Sequence, residues 1–195
     1  RRCTQIARLF VDEISGLVGK VPYGYRALRT HRKLPRTRTR MRVEDGVTMS
    51  RDVRYDEGER CVMDVYVPAE LEEGTTAPVC LFVHGGVWAS GEKWQFSPMA
   101  TALAKRGVVC CVATYSLYPN ADAAHMWDEV SRALSWTLDN VGKYGGDANR
   151  VSLVGHSAGA QLCARALLQR AGIKNVQSRT NEREWHADSR MPRKF

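Results

Sequence analysis

The fold of this chain is decided by Gly155-His156-Ser157-Ala158-Gly159, which joins an apolar run at residues 151–154 to a helical pattern over residues 158–171. Small residues on both sides of a serine, where a strand meets a helix, are typical of a nucleophile elbow. The chain turns so sharply in such an elbow that there is no room for side chains beside the serine. The motif predicts that Ser157 faces a cleft and acts as a nucleophile.

A second motif, His84-Gly85-Gly86-Val87-Trp88, follows another apolar run upstream. We predict that the backbone N–H groups of Gly85, Gly86 and Ala158 form an oxyanion hole, because glycines let a loop bring its amides close to a developing negative charge. His156, the variable position of the elbow, is predicted to flank the nucleophile and contact substrate. Trp88 has two interpretations. It either contacts substrate by lining the acyl or leaving-group pocket, or it is a packing lid.

The base that a serine nucleophile needs is not evident in the sequence. Serine, acid and histidine follow one another in this chain order in folds with such an elbow, and the one histidine after Ser157 is His186, near the acids Glu182, Glu184 and Asp188. All four lie in a segment without periodicity, so His186 is interpreted as a solvated tail residue. We expect the 195-residue chain to be inactive, because a serine without its base loses most of its rate advantage.

Composition indicates an ordinary globular protein, with 44% apolar and 26% charged residues. No apolar run approaches the roughly 18 residues of a membrane-spanning helix. The six cysteines include no Cys-x-x-Cys pair, and no histidine has the spacing of a metal ligand pair. We therefore predict no metal, and free thiols in a reducing, intracellular compartment.

The formal net charge of +8 is concentrated in residues 26–42, which contain eight basic and no acidic side chains. We interpret this segment as a solvated linker, with attraction to an anionic membrane surface as the alternative. Nucleic acid is not predicted as a partner, because the segment has no interleaved aromatic residues that could stack on bases.

Three regions follow from the pattern: an N-terminal helix and basic linker at 1–45, a folded region at 46–172 and a disordered tail at 173–195. The folded region begins with an antiparallel strand pair and continues with strands alternating with helices, which predicts an α/β layer fold. The later strands are predicted at 78–83, 108–113 and 151–154, all buried, and the helices at 97–106, 121–143 and 158–171.

Residues 48–171 resemble the first half of the α/β-hydrolases with a His-Gly-Gly-x-Trp motif. Besides the two motifs above, the resemblance rests on Met63-Asp64-Val65-Tyr66-Val67-Pro68 and on Tyr144-Gly145-Gly146-Asp147-Ala148-Asn149-Arg150-Val151. These hydrolases include hormone-sensitive-lipase-like esterases, kynurenine formamidases and isoprenylcysteine methylesterases, and the chain is most similar to the methylesterases. The implied fold is a mostly parallel sheet with helices on both faces, truncated after the elbow helix.

The resemblance implies a serine carboxylic-ester hydrolase that removes the methyl ester from prenylated C-terminal cysteines of proteins at endoplasmic reticulum and Golgi membranes, without a cofactor. A kynurenine formamidase-like enzyme or a general carboxylesterase acting on small esters, in the cytoplasm, is the alternative. A catalytically dead binding protein at membrane surfaces is the non-enzymatic reading. The resemblance carries over Ser157, Gly85, Gly86 and Ala158, but no acid and no base. One departure is local, since Thr and Ser flank Tyr115 where these hydrolases usually have Asp and Arg.

Overall fold

The structure is a computed structural model that describes residues 41–43, 46–71 and 74–172. The predicted N-terminal helix, residues 26–40 of the basic segment and the predicted tail lie outside the described residues. His186 and its neighbouring acids lie outside them as well.

The described residues form one six-stranded mixed sheet in the order β1-β2-β3-β5-β4-β6. Strands β2, β4, β5 and β6 run in one direction, and β1 and β3 run against them. This arrangement confirms the predicted α/β fold and its antiparallel start. The strands are β1 Met41–Val43, β2 Val47–Arg54, β3 Val62–Pro68, β4 Ala77–Val83, β5 Val109–Ala113 and β6 Gly146–Gly155.

Helices cover both faces of the sheet, as predicted. They are α1 Ser97–Ala104, α2 Ala123–Asn140 and α3 Ala158–Arg170, with short 3₁₀ helices at Lys93–Phe96 and Val141–Tyr144. Alternation along β4 shows the two faces, because Phe82 packs in the cluster under α1 and Leu81 packs in the cluster under α2. Helix α3 packs beside α2, where Leu162 is fully buried. No helix in the described part of the chain is both long and apolar enough to cross a membrane.

Helix α2 and strand β1 differ from the prediction for local reasons. Helix α2 begins after Asp122 because this side chain accepts a hydrogen bond from the N–H of His125 at 2.8 Å and caps the helix. Its end passes into the 3₁₀ helix, which Gly145 terminates with a left-handed φ of 78°. Residues 41–43, within the predicted linker, form β1 because the turn at Gly46 returns the chain onto β2.

A strand covers residues 151–154 as predicted, but the prediction that it is short and buried was wrong. Strand β6 has ten residues, and its positions 150–155 alternate between exposed and half-buried. Among the described residues it pairs with β4 alone, so it lies at the edge of the sheet. Val151 and Leu153 pack towards α2, whereas the side chain of Val154, on the opposite face, is 41% exposed.

Candidate active site

Ser157 occupies a strained turn between β6 and α3. Its φ of 51° and ψ of −120° are unusual for any residue with a Cβ, and such strain is typical of functional positions. Two glycines make the turn possible. A Cβ on Gly155 would lie 2.5 Å from the backbone of Ala160, and a Cβ on Gly159 would lie 2.3 Å from the carbonyl oxygen of Val83. The turn therefore has the geometry of a nucleophile elbow, and Ser157 is exposed at its tip.

The structure brings the two predicted motifs into direct contact. A Cβ on Gly85 would lie 2.6 Å from the carbonyl oxygen of His156 and 2.9 Å from the Cβ of Ser157. The N–H of His156 also donates to the carbonyl of Val83 at 3.1 Å, which joins the elbow to the end of β4. The glycine loop and the serine therefore lie against each other, with no room for a side chain at position 85.

Three backbone N–H groups, two in the glycine loop and one at the start of α3, are free to donate. Within the described residues the structure pairs no acceptor with the N–H groups of Gly85, Gly86 and Ala158. Gly85 and Ala158 are buried, and a buried unpaired N–H is costly. Ala158 is also the first residue of α3, where the helix dipole favours negative charge. This part of the site is therefore chemically suited to an oxyanion.

The rest of the glycine loop is a tight turn with several positive φ angles. Gly86 has a φ of 132°, and a Cβ there would lie 2.1 Å from the carbonyl oxygen of Ser90. The carbonyl of Gly86 accepts from the N–H of Ala89 at 3.1 Å and from the N–H and hydroxyl of Ser90, both at 2.9 Å. Val87 and Trp88 follow with φ of 51° and 58°. A β-branched residue at such an angle is a genuine outlier.

His84 braces this loop from inside the protein. Its side chain is fully buried and stacks on Tyr115 with ring centroids 4.6 Å apart. Nδ1 lies 2.8 Å from the carbonyl oxygen of Gly85, so it carries the proton in that contact. Burial lowers the pKa of His84, and the nearby Arg60 lowers it further, against the opposing effect of the hydrogen bond to Gly85. His84 is therefore a neutral donor to the loop backbone.

An exposed apolar rim borders the site. We use this name for Val87, Trp88 and Tyr118, whose side chains are 72%, 37% and 66% exposed. The N–H of Tyr118 donates to the carbonyl of Trp88 at 2.8 Å, and the indole N–H of Trp88 donates to the side-chain oxygen of Gln161 in α3 at 3.0 Å. Trp88 is therefore tied to the helix that follows the serine. His156 is exposed next to Ser157.

No described histidine is hydrogen-bonded to the hydroxyl of Ser157. His84 donates to Gly85, and His125 lies 3.1 Å from Glu129 on the same helix. The imidazole of His156 has no hydrogen-bond partner in the described part of the chain, and it contacts Phe96 at a centroid distance of 6.2 Å. Within those residues no three His, Cys, Asp or Glu side chains cluster as a metal site either. The described site thus contains an exposed serine and three unpaired backbone N–H groups, and no base is hydrogen-bonded to the serine.

Sequence reasoning missed the groups that anchor the segment after β5. Glu129 is 1% exposed and accepts from the N–H of Ser116 at 2.6 Å and from its hydroxyl at 2.8 Å. The hydroxyl of Thr114 donates to the carbonyl of Arg60 at 2.7 Å, and Arg60 in turn donates from Nε to the carbonyl of Tyr115 at 2.8 Å. Thr114 and Ser116, which depart from the family pattern, therefore anchor this turn themselves. The available signal was an acid, Glu129, on the mostly apolar buried face of α2.

Comparison with known proteins gives a consistent result. The family model BD-FAE, an α/β-hydrolase domain, matches residues 63–189. A probable isoprenylcysteine alpha-carbonyl methylesterase of Oryza sativa subsp. japonica is 34% identical over 135 residues, covering 69% of this chain and 31% of that protein. Esterase LipQ of Mycobacterium tuberculosis is 36% identical over 120 residues, covering 60% of this chain and 28% of that protein.

Among solved structures, inhibited esterase B of Lactobacillus rhamnosis has a TM-score of 0.62 at 21% identity, covering 86% of this chain and 54% of that one. At this identity the likeness concerns the fold alone. The chain spans about 30% of the length of the two curated relatives.

Proposed function

The chain belongs to the BD-FAE family of α/β-hydrolases, and on this basis we propose that it carries the nucleophile and the oxyanion-binding part of a serine carboxylic-ester hydrolase. Ser157 is the nucleophile in this proposal, and the N–H groups of Gly85, Gly86 and Ala158 stabilise the tetrahedral intermediate. The observation that supports it best is the contact between the glycine loop and the elbow, where a Cβ at position 85 would lie 2.9 Å from the Cβ of Ser157.

The proposed chemistry is acyl transfer. The hydroxyl oxygen of Ser157 attacks the ester carbonyl carbon, and the carbonyl oxygen becomes an anion held by the free amides. Collapse of this intermediate expels the alcohol, and water then releases the acid and restores the serine. Each donor contributes roughly 3 kcal/mol to lowering the barrier. The described residues supply no base for the proton of Ser157, so we expect this 195-residue chain to react slowly.

The test of the serine mechanism is labelling of the chain with an alkyl fluorophosphonate, followed by peptide mass spectrometry. We expect an adduct on Ser157 that is lost in Ser157→Ala. We also expect its rate to rise about tenfold per pH unit through neutral pH, because without a base the reaction follows hydroxyl ionisation. Absence of a Ser157 adduct would refute the proposed nucleophile. A rate that levels off near neutral pH would show that a base is present.

For the substrate, we propose a prenylcysteine methyl ester. Similarity to the Oryza methylesterase supports this choice, and the exposed apolar rim of Val87, Trp88 and Tyr118 suits a substrate with a long apolar group. A general carboxylesterase acting on small esters is the second candidate, supported by similarity to esterase LipQ. Trp88 and His156, beside the serine, are the proposed substrate contacts in both cases.

Relative turnover of three substrates separates these candidates. The kcat/KM of the chain is measured on a farnesylcysteine methyl ester, on p-nitrophenyl butyrate and on N-formylkynurenine. We expect the highest value on the prenylated ester. A clear preference for the small ester would favour the general carboxylesterase, and preference for the formamide would overturn both. A protein that binds these compounds without turnover would instead be a non-catalytic binding protein.

The basic segment at residues 26–42 supports a further proposal about location. We propose that it attracts the protein to anionic membranes. An enzyme that acts on substrates at endoplasmic reticulum and Golgi membranes must reach those membranes. Sedimentation with phosphatidylcholine vesicles, with and without phosphatidylserine, tests this. Binding that needs the anionic lipid and is lost at high salt is expected. Equal binding to both vesicle types would contradict the proposal.

A further inference from the structure

The free N–H groups of Gly85 and Gly86 belong to two peptide groups. In each of these peptide groups, a side chain holds the carbonyl. The hydroxyl of Tyr115 donates to the carbonyl of His84 at 3.0 Å, and this carbonyl belongs to the same peptide group as the N–H of Gly85. Nδ1 of His84 donates to the carbonyl of Gly85 at 2.8 Å, and that carbonyl shares its peptide group with the N–H of Gly86.

A peptide group is planar, and in the trans form its C=O and N–H point in opposite directions. Among the described residues the one cis bond is Tyr118-Pro119, so both peptide groups of the glycine loop are trans. Fixing each carbonyl therefore fixes the direction of the N–H on the other side of the plane. A glycine loop needs this restraint, because glycine has more conformational freedom than any other residue.

We propose that Tyr115 is a positioning residue of the oxyanion hole, and that with His84 it forms a clamp that aims the N–H groups of Gly85 and Gly86 at the reacting carbonyl. This inference rests on the proposed function for the identity of the reaction. Tyr115 does not touch the substrate in this scheme, and it acts through the peptide group that it holds.

Several contacts keep the clamp rigid and dry. Tyr115 and His84 are both fully buried and stack on each other. A Cβ on Gly91 would lie 2.5 Å from both Nδ1 of His84 and the carbonyl oxygen of Gly85, so the backbone there covers their hydrogen bond. Arg60 binds the carbonyls of both Tyr115 and Gly91, at 2.8 and 3.0 Å. The segment after β5 and the loop over the clamp are thereby joined by one side chain.

The clamp also keeps its protons at neutral pH. Burial raises the pKa of Tyr115 to about 12, so its hydroxyl remains a donor. His84 stays neutral because burial lowers its pKa. Its Nε2 has no hydrogen-bond partner within the described residues, which is consistent with a single tautomer that has the proton on Nδ1.

The chain offers a closely matched control for Tyr115→Phe. The hydroxyl of Tyr55 is also buried and also donates to a backbone carbonyl, that of Thr114, at 2.7 Å. That carbonyl does not belong to the glycine loop. Tyr55→Phe and Tyr115→Phe each remove one buried hydroxyl and keep the ring, so they differ mainly in which peptide group loses its partner.

The first measurement is spectroscopic and does not depend on activity. His84-Gly85 is the only His-Gly pair in the sequence. Labelling histidine with ¹³C at the carbonyl and glycine with ¹⁵N therefore selects one peptide group in the NMR spectrum. We expect Tyr115→Phe to shift the His84 carbonyl signal and to speed amide exchange at Gly85, and Tyr55→Phe to leave both unchanged. An unchanged His84 carbonyl in Tyr115→Phe would overturn the clamp.

The second measurement is the rate at which an alkyl fluorophosphonate labels Ser157. We expect Tyr115→Phe to slow it by about tenfold or more, approaching the roughly 10²-fold loss typical when an oxyanion donor is removed. Tyr55→Phe should label at the wild-type rate. Equal rates in the two variants would overturn the positioning role even if the carbonyl shifts. Failure of the wild type to label would refute the proposed function, and the carbonyl signal would still decide whether Tyr115 holds the peptide group.

Discussion

Gly85→Ala is the sharpest test of the contact between the glycine loop and the elbow. The added Cβ would lie 2.6 Å from the carbonyl oxygen of His156, about 0.8 Å inside the 3.4 Å at which ordinary contact begins. It would also lie 2.9 Å from the Cβ of Ser157. The backbone on both sides is fixed by hydrogen bonds, so the loop and the elbow must separate.

The expected cost follows from this overlap. Overpacking of a tight interior contact destabilises a protein by about 1–3 kcal/mol. Gly85 has no positive φ, so backbone strain adds nothing to this effect. The donors are also expected to be displaced by nearly 1 Å. Labelling of Ser157 should then slow by about 10²-fold, because a misplacement of this size in a catalytic site can cost that much in rate.

The control is Gly142→Ala, because a Cβ there has nothing within 4 Å and the glycine has no positive φ. Both variants are unfolded in urea and followed by circular dichroism, and labelling rates are measured in native buffer. Gly142→Ala should stay within about 0.5 kcal/mol of wild type. If Gly85→Ala matches it in both stability and labelling rate, the loop does not lie against the elbow as described, and the reasoning fails.

Three further predictions concern stability. The pKa of His84 is lowered from 6.5 by burial. Below pH 6.5, His84 is therefore protonated in the unfolded chain and stays neutral in the folded protein. The stabilisation is complete above pH 6.5 and declines as pH falls; urea titrations should show wild type losing up to about 1.4 kcal/mol per pH unit relative to His84→Asn, and parallel profiles would contradict this. Ser157→Gly should be about 1 kcal/mol more stable than Ser157→Ala, because glycine relieves the strain of a φ of 51°; equal unfolding midpoints would show that the turn is unstrained. Leu162→Ala should cost about 2–5 kcal/mol because the side chain is fully buried, whereas Leu167→Ala, at a position that is 48% exposed, should cost little in thermal unfolding; similar losses would mean that α3 packs through another face.

The elements that the sequence predicted well are those decided by local signals. Strands β4 and β5 are short runs of apolar residues, and their bounds agree with the prediction to within one residue. The elbow was predictable because its tight turn leaves no space for a Cβ at positions 155 and 159, so glycine must flank the serine. The contact between the two motifs followed from their shared position at the ends of neighbouring parallel strands.

Features that depend on distant partners were not predictable. The residues of β6 have the apolar pattern of a buried strand, but burial is a property of the neighbouring elements, and in the described residues β6 has a neighbour on one side. Tyr115 gave no signal of its role, because its hydroxyl reaches a carbonyl 31 positions away in sequence. Catalytic roles for the site residues remain predictions that the labelling experiments test.

The outer side of β6 has a practical consequence for handling this protein. Its backbone groups there have no partner strand among the described residues, and Val154 lies exposed beside them. An open strand edge is a template onto which another extended chain can add. Dilute samples should therefore remain monomeric longest. At temperatures where the protein is still folded, self-association through this strand should limit the concentration that can be used.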